Sequence, residues 1–167
     1  MKNRGFSIIE LIVVVGLVSL VLGIAALDFF SWTRKAQIER QVKELYADIQ
    51  AARLDAAFTK QRRGVEFSAN QVVFRRFSSN EATAAGTRTS TKNLSFAITR
   101  TIWANPADGQ IIFDTKGVMA DPIVKVICVT TDIDASYDAL IITPAITNMG
   151  KVTNRGVACG QDNVIQK

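Results

Sequence analysis

The sequence contains no histidine and only two cysteines. The absence of histidine excludes a Ser-His-Asp or Cys-His catalytic site, a histidine general base and a histidine-ligated metal. Two cysteines are too few for a zinc site built from cysteine alone. We therefore expect no catalytic residue, no cofactor and no metal centre, and an enzyme is the least favoured class of protein.

Basic residues outnumber acidic residues only slightly. The 167 residues include 20 Lys and Arg against 15 Asp and Glu, a formal charge of +5. Lys2 and Arg4 lie in the first four residues, and without that leader the balance is 18 against 15, or +3. This balance is a weak reason to expect a nucleic-acid partner. The length suits one domain with a real core, with or without an appendage.

The apolar residues are concentrated near the N-terminus. A span of 22 residues begins at Phe6, ends at Leu27 and holds one charge, Glu10. About 20 apolar residues cross a bilayer as a helix, so we expect this span to be transmembrane. A secretory signal would have a shorter apolar core and a small-residue cleavage site. The basic residues before the span predict a cytoplasmic N-terminus, with the rest of the chain on the other side of the membrane.

Glu10 is the exception within this span. A carboxylate four residues into an apolar helix is costly unless it is paired or lies near the membrane interface. One interpretation is that the side chain reaches the lipid headgroups. The other is that it pairs with a positive group on a neighbouring chain, most naturally a free N-terminus created by cleavage after Gly5.

Residues 5–11, Gly-Phe-Ser-Ile-Ile-Glu-Leu, resemble the prepilin peptidase recognition site of type IV pilins and pseudopilins. The resemblance consists of a short basic leader ending in Gly, a following Phe, a Glu at the fifth position after the cut, and a long apolar run. It implies that prepilin peptidase cleaves between Gly5 and Phe6 and that Phe6 becomes N-methylated. It also implies that Glu10 neutralises the new amino terminus of an adjacent subunit during assembly.

The same resemblance implies a single-pass protein of the bacterial inner membrane that later enters a filament. Its implied partners are prepilin peptidase, other pilins or pseudopilins, the inner-membrane assembly platform, and membrane lipid before assembly. On this basis the chain divides into a cytoplasmic leader (1–5), a transmembrane or filament-core half of a helix (6–30), an amphipathic half (31–62) and an extracytoplasmic domain (64–167).

The helix is expected to continue well beyond the apolar span. Apolar residues recur at spacings of four and three, which indicates one face of an amphipathic helix: Ile38, Val42, Leu45, Ile49, Ala52 and Ala56. Charged residues between them, Arg53 included, are interpreted as a solvated face. No proline interrupts residues 6–60, and Gly64 after two arginines is expected to close the helix. Gly16 and Gly23 are either ordinary transmembrane glycines or points of close helix packing.

Beyond residue 64 the pattern changes to a period of about two, with turn signals between short runs. Strands are expected over 65–68 and 71–77, joined as a hairpin, and over 94–103, 110–114, 123–131, 139–143 and 151–153. The polar segment 78–92 is interpreted as an exposed loop. These elements predict an α+β fold, in which the long N-terminal helix packs on a C-terminal antiparallel sheet or sandwich.

The order of these segments resembles the GspH/FimT/FimU type of minor pilins and pseudopilins. The resemblance is carried by residues 48–64, the strand and turn at 111–117, the strand at 139–143, the run 150–152 and a terminal cysteine. One departure is that the usual Gly-Arg is Gly-Lys here, at Gly150 and Lys151.

Cys128 lies in a predicted central strand and Cys159 in the C-terminal tail. Because the domain is expected outside the cytoplasm, where disulfides persist, we predict a disulfide rather than two buried thiols. Such a bond would pin the tail to the sheet and contribute about 3 kcal/mol to stability.

Two groups of charged residues suggest binding sites, although both kinds of residue more often form solvated surface. Four arginines near aromatic residues could contact nucleic acid: Arg62, Arg63, Arg75 and Arg76. Three loop carboxylates could hold calcium, at a spacing that matches no known calcium loop: Asp132, Asp134 and Asp138.

Two classes of protein fit these features. The first is a structural subunit, a minor pilin or pseudopilin of a type IV pilus or type II secretion filament, with a DNA-binding minor pilin of an uptake pilus as a variant. The second is an uncleaved, signal-anchored periplasmic binding module. Glu10 distinguishes them, because an unassembled anchor has no need of a charge at that position.

Overall fold

A computed structural model describes residues 7–78, 86–100 and 109–167, with the backbone alone at 24–28. Helix α1 (Ile8–Thr59) is a single helix of 52 residues, in keeping with the absence of proline from this part of the sequence. It ends at Lys60, whose left-handed backbone (φ 55°) closes the last turn. Gly64, which we expected to close the helix, lies in the first strand instead.

Nine strands in the described residues form two antiparallel sheets. One contains β1 (Arg63–Ser68), β2 (Gln71–Phe77), β3 (Gly86–Asn93) and β5 (Gln110–Phe113), in the order β3-β2-β1-β5. The other contains β4 (Ile98–Arg100), β6 (Lys125–Val129), β7 (Ala139–Ile142), β8 (Thr147–Val152) and β9 (Val164–Gln166), in the order β4-β6-β7-β8-β9. The predicted α+β fold, a long helix followed by antiparallel sheets, is confirmed.

The hydrophobic core lies between α1 and both sheets. Of the six apolar residues predicted to form the inner helix face, five are buried and Ala52 is half-buried against the same core. They pack with branched and aromatic side chains of both sheets, among them Phe67, Phe113 and Leu140. Each buried side chain of this size contributes roughly 1.5–3 kcal/mol. The predicted stripe therefore attaches the second half of α1 to the sheets.

A smaller apolar cluster covers the other face of the second sheet. It consists of Val126, Cys128, Ala139, Ile141, Val152 and Val164. Strand β6 therefore has buried side chains on both faces. This double burial explains the continuous apolar run of β6, which is typical of a central strand.

The expectation of an exposed loop over 78–92 is wrong for its second half, because Gly86–Asn93 forms β3. This strand lies at the edge of its sheet, and most of its side chains are exposed on both faces. Its threonines favour extended backbone, but no apolar alternation marks it as a strand. Residues 79–85 lie outside the described part of the chain.

The strand expected over 94–103 is also shorter than predicted, since β4 contains only Ile98–Arg100. Gln41 on α1 explains the late start. Its Nε2 donates a hydrogen bond to the carbonyl of Phe96 (2.8 Å), and the N–H of Phe96 donates to its Oε1 (2.9 Å). Residue 96 is thereby held by the helix instead of by a strand. Residues 101–103 lie outside the described residues.

At the C-terminus, the first two residues of the strand expected over 151–153 form the end of the longer β8, and Thr153 lies outside it. The last strand, β9, is not predicted by the sequence pattern. It has only three residues, which are too few to show a period of two.

Candidate assembly surface

The predicted processing residues, Gly5 and Phe6, lie outside the described residues. Ser7 precedes α1, and its carbonyl accepts hydrogen bonds from the N–H groups of Glu10 (3.1 Å) and Leu11 (3.2 Å). Glu10 is exposed in the first turn, where the positive end of the helix dipole favours a carboxylate. Its side chain is therefore accessible to a positive group on another chain.

The first half of α1 exposes apolar side chains all round its surface. Twelve large apolar residues from Ile8 to Leu22 are 49–80% exposed. Apolar surface of this extent is unfavourable in water, so it requires other apolar groups to cover it. Among the described residues, none of the helical stretches combines the length and the apolarity of a bilayer-crossing segment. Gly16 and Gly23 have no neighbouring atoms within 4 Å of a Cβ position, so both interpretations of these glycines stay open.

Polar contacts fix the orientation of the second half of α1. The N–H of Ser136 donates to Oε1 of Glu39 (2.9 Å), which lowers the pKa of that carboxyl group. Lys92 on β3 forms ion pairs with two helix carboxylates, Asp48 (2.7 Å) and Glu44 (3.2 Å). Burial lowers the pKa of Lys92, but these two carboxylates outweigh burial and raise it.

Arg53 is buried, although its position between the apolar residues placed it on the solvated face. Its guanidinium donates to the carbonyls of Thr143 and Pro144, each at 3.2 Å, and to the hydroxyl of Thr147 (3.3 Å). The group also lies over the ring of Phe113, 5.0 Å from its centroid. Among the described residues no carboxylate pairs with it and its Nε has no acceptor. Burial lowers its pKa.

The structure contains the predicted disulfide between Cys128 and Cys159, whose Cα atoms are 5.9 Å apart. The bond joins β6 to the loop before the short 3-10 turn Gln161–Asn163. The amide of Asn163 organises the same loop. Its Oδ1 accepts from Thr153 Oγ1 (2.9 Å) and from the N–H of Asn154 (2.8 Å).

Three of the four arginines considered for nucleic-acid contacts are engaged within the domain. Arg62 is buried with its guanidinium over the ring of Phe77, 5.2 Å from the centroid. Two others form ion pairs, Arg63 with Asp55 and Arg75 with Glu66. Only Arg76 among the four is exposed. The structure therefore brings these residues near one another without forming an open basic surface.

Two of the three carboxylates considered for calcium, Asp134 and Asp138, have basic partners, and the third, Asp132, is exposed. Asp134 pairs with Lys151 (3.0 Å) and Arg155 (3.1 Å), and the buried Asp138 pairs with Arg155 (2.8 Å). Within the described ranges no three acidic, cysteine or histidine side chains are grouped as metal ligands would be. These ion pairs lower the pKa of Asp134 and hold the C-terminal loop against the sheet.

Comparison with known proteins gives a sequence match at the N-terminus and structural similarities for the fold. Residues 1–26 match the prokaryotic N-terminal methylation motif. No curated protein matches the sequence.

The fold is similar to solved structures of a type IV minor pilin and of a minor pseudopilin. The type IV minor pilin FimU of Pseudomonas aeruginosa PAO1 is 11% identical, with a TM-score of 0.53 over 78% of this chain and 97% of that chain. The minor pseudopilin EpsH of the Vibrio cholerae type 2 secretion system is 8% identical, with a TM-score of 0.51 over 68% of this chain and 94% of that chain. A crystal structure of EpsH from the same system, 9% identical, gives a TM-score of 0.51 over 76% of this chain and 97% of that chain.

Proposed function

We infer that this chain, a type IV pilin-like protein by its N-terminal motif and its fold, is a structural subunit of a type IV pilus or type II secretion filament. Its resemblances are to minor pilins and pseudopilins, and both the motif and the fold are those of structural subunits rather than of enzymes. The observation that carries the proposal is α1 itself. One half is docked on a folded domain, and the other half exposes apolar residues on every side.

Processing prepares this helix for assembly. Prepilin peptidase hydrolyses the bond between Gly5 and Phe6, removes the leader with Lys2 and Arg4, and the new amino group of Phe6 is methylated. Before assembly the apolar half is anchored in the inner membrane with the leader in the cytoplasm. Lipid then covers the exposed side chains of this half, which accounts for its apolar composition.

Assembly transfers the apolar half from lipid to a bundle of similar helices at the inner-membrane assembly platform. Glu10 supplies the specific contact. Its carboxylate receives the free amino terminus of an adjacent subunit, and this pairing offsets the cost of holding a charge among apolar groups. The exposed position of Glu10 in the first turn supports this role.

The other two hypotheses have less support. Three of the four arginines considered for DNA are buried or paired. An uncleaved, anchored binding module would have the same fold, but it gives no reason for a carboxylate at position 10.

The intact mass of the membrane-extracted chain, co-expressed with and without a prepilin peptidase, tests the proposal. We expect loss of Met1 to Gly5 and gain of one methyl group only when the peptidase is present. A full-length chain that the peptidase leaves untouched would favour the anchored module. The Glu10→Gln variant separates the two steps, because it should be cleaved normally and yet fail to enter filaments.

A further inference from the structure

Three aromatic residues and two cations lie on α1 between its apolar half and the part that packs on the domain. Phe29, Phe30 and Trp32 are 61–67% exposed, and Arg34 and Lys35 are exposed as well. We call these five residues the interface collar. Aromatic rings followed by basic residues are typical of a helix at the boundary between lipid and water.

The interface collar has the height of a lipid headgroup layer. The hydrocarbon core of a bilayer is about 30 Å thick and the whole bilayer about 40–45 Å, which leaves about 5–7 Å for the headgroups on each side. From Trp32 to Lys35 the helix rises by about 4.5 Å. With the rings of the collar at the edge of the hydrocarbon, its two cations therefore lie at the level of the lipid phosphates.

The two cations lie on the side of α1 that carries the domain. Among the described residues, Ile38 is the first of the helix in the hydrophobic core, and it is fully buried. Arg34 and Lys35 precede it by four and three residues, so all three residues share one side of the helix. The cations thus lie about 4.5–6 Å before the domain along the helix axis.

Two segments of the domain meet α1 just beyond these cations. Glu39 accepts a hydrogen bond from the N–H of Ser136 (2.9 Å), and Gln41 is bonded to both backbone groups of Phe96. Both segments therefore lie at the end of the domain nearest the apolar half. A bilayer around that half leaves a narrow gap between its headgroups and the domain, and the cations lie in this gap.

The charge of the gap is not neutralised by the domain. Neither Arg34 nor Lys35 forms an ion pair within the described part of the chain. Basic residues directly after an apolar span also oppose its insertion with the leader in the cytoplasm. An anion bound in the gap offsets this cost.

We propose that the gap binds the phosphate of an anionic phospholipid, with Arg34 and Lys35 as its ligands. The inference rests on the proposed function, which places the apolar half in the inner membrane. A guanidinium donates two parallel hydrogen bonds to phosphate oxygens, and an ammonium adds a compact charge. The bound lipid holds the domain at one height above the bilayer before assembly, and it must be released when α1 enters a filament.

Native mass spectrometry of the full-length chain tests this assignment. The chain is co-expressed with prepilin peptidase and released from vesicles of phosphatidylglycerol and phosphatidylcholine in equal parts. Both lipids carry a phosphate, but only phosphatidylglycerol has a net negative charge. We expect the chain to retain phosphatidylglycerol preferentially. Arg34→Gln with Lys35→Gln should lower the ratio of the two retained lipids by about tenfold, which corresponds to about 1.4 kcal/mol.

Arg40→Gln with Lys43→Gln is the matched control. It removes the same two kinds of cation from exposed positions of the same helix, about 9–12 Å further from the apolar half, and it should leave the ratio unchanged. Inorganic phosphate added to the lipid-free chain in detergent separates a headgroup from a free anion. An equal loss with both pairs of substitutions, no preference for phosphatidylglycerol, or retention of inorganic phosphate that depends on Arg34 and Lys35 would overturn the proposal.

All four substituted positions are exposed, so the variants should fold. An intact Cys128–Cys159 disulfide and an unchanged unfolding temperature check this. The same spectra give the mass of the chain and thereby separate the two proposals. A chain that the peptidase leaves uncleaved contradicts the proposed function, whereas a cleaved chain without a lipid preference contradicts the phospholipid site alone.

Discussion

At the residue scale, the charged side chains of the domain are used mainly to hold distant segments together. Arg53 reaches carbonyls about 90 residues further along the chain, and Glu39 binds the N–H of Ser136. Sequence spacing shows that such residues lie on a helix, but it does not show which segment folds against them. For this reason Arg53 is misplaced on the solvated face, and the ion pairs of Arg63 with Asp55 and of Arg75 with Glu66 are not predicted.

Replacement of Arg53 by alanine should destabilise the domain by about 2–4 kcal/mol. The change removes three hydrogen bonds from Arg53 to the β7–β8 turn, of whose carbonyls that of Pro144 keeps the N–H of Met119 as a donor. Chemical unfolding of the full-length chain in detergent measures the loss. Arg40→Ala on the same helix is the matched control, because the ion pair of Arg40 with Glu44 is exposed and solvent screens it, so its contribution to stability is small. Equal effects of the two substitutions would contradict the role of Arg53.

At the element scale, the second half of α1 is positioned by its apolar stripe and by a few buried polar groups. Gln41 is the clearest of these, because its amide satisfies both backbone groups of Phe96. It is also buried, with 7% of its surface exposed. It therefore fixes how the segment before β4 lies on the helix.

Gln41→Ala should cost about 2 kcal/mol, since it removes two hydrogen bonds and leaves the backbone groups of Phe96 unsatisfied. Gln37→Ala, one turn earlier and exposed, should change the free energy of unfolding by less than about 0.5 kcal/mol. Denaturant unfolding of both variants provides the comparison. An unchanged midpoint for Gln41→Ala would show that Phe96 is held by other contacts.

The disulfide also positions an element, because it joins β6 to the C-terminal loop. Replacing both Cys128 and Cys159 by alanine should lower stability by about 3–4 kcal/mol, because the bond closes a loop of 31 residues. The loss should be largest in the C-terminal loop, where hydrogen exchange should accelerate before global unfolding. Mass measurement after alkylation without reductant provides the check. Two alkylated thiols in the native protein would contradict the bond.

Elements with a strong apolar period are predictable from this sequence, and elements without one are not. The stripe from Ile38 to Ala56 and the hairpin at Ala69 are visible because one face of each is buried. Strand β3 is missed because it is polar on both faces, and β4 is overestimated because Gln41 takes the place of a neighbouring strand. Glu10 and the N-terminal motif are recognised from local sequence alone, whereas the contacts of Arg53 require the folded arrangement of α1 and the β7–β8 turn.

At the scale of the whole molecule, stability should depend on pH only outside the neutral range. Ion pairs and hydrogen bonds lower the pKa of four carboxyl groups, Glu39, Glu44, Asp121 and Asp134, below their ordinary values of 3.8 to 4.5. A lowered pKa in the folded state stabilises the protein above the ordinary value, and that contribution is lost as the pH falls. The raised pKa of Lys92 acts in the opposite direction, so its contribution is lost above its ordinary value of 10.5.

The unfolding temperature should therefore be nearly constant from about pH 5.5 to 8, where histidine would otherwise titrate, and fall below about pH 4.5. Glu39→Gln should reduce stability slightly at pH 7, by about 1 kcal/mol or less, and the difference should decrease as the pH falls below the ordinary carboxyl value of 4.5. Circular dichroism melts across this range measure both effects. Asp162→Asn, at an exposed turn, is the control. A difference for Glu39→Gln that does not decrease at acidic pH would exclude the ionised carboxylate as its cause.

Because α1 is uninterrupted, the direction in which the domain faces around the helix axis is fixed relative to the apolar half. The apolar half and the domain share one helix from Ile8 to Thr59, so every residue between them contributes about 100° of rotation and 1.5 Å of rise. Insertion of one residue between the two halves would turn the domain by more than a quarter of a circle about the helix axis. Insertion of seven would nearly restore its direction while raising it by about 10 Å. The number of residues along this helix, and not only their kind, thus determines which way the domain faces.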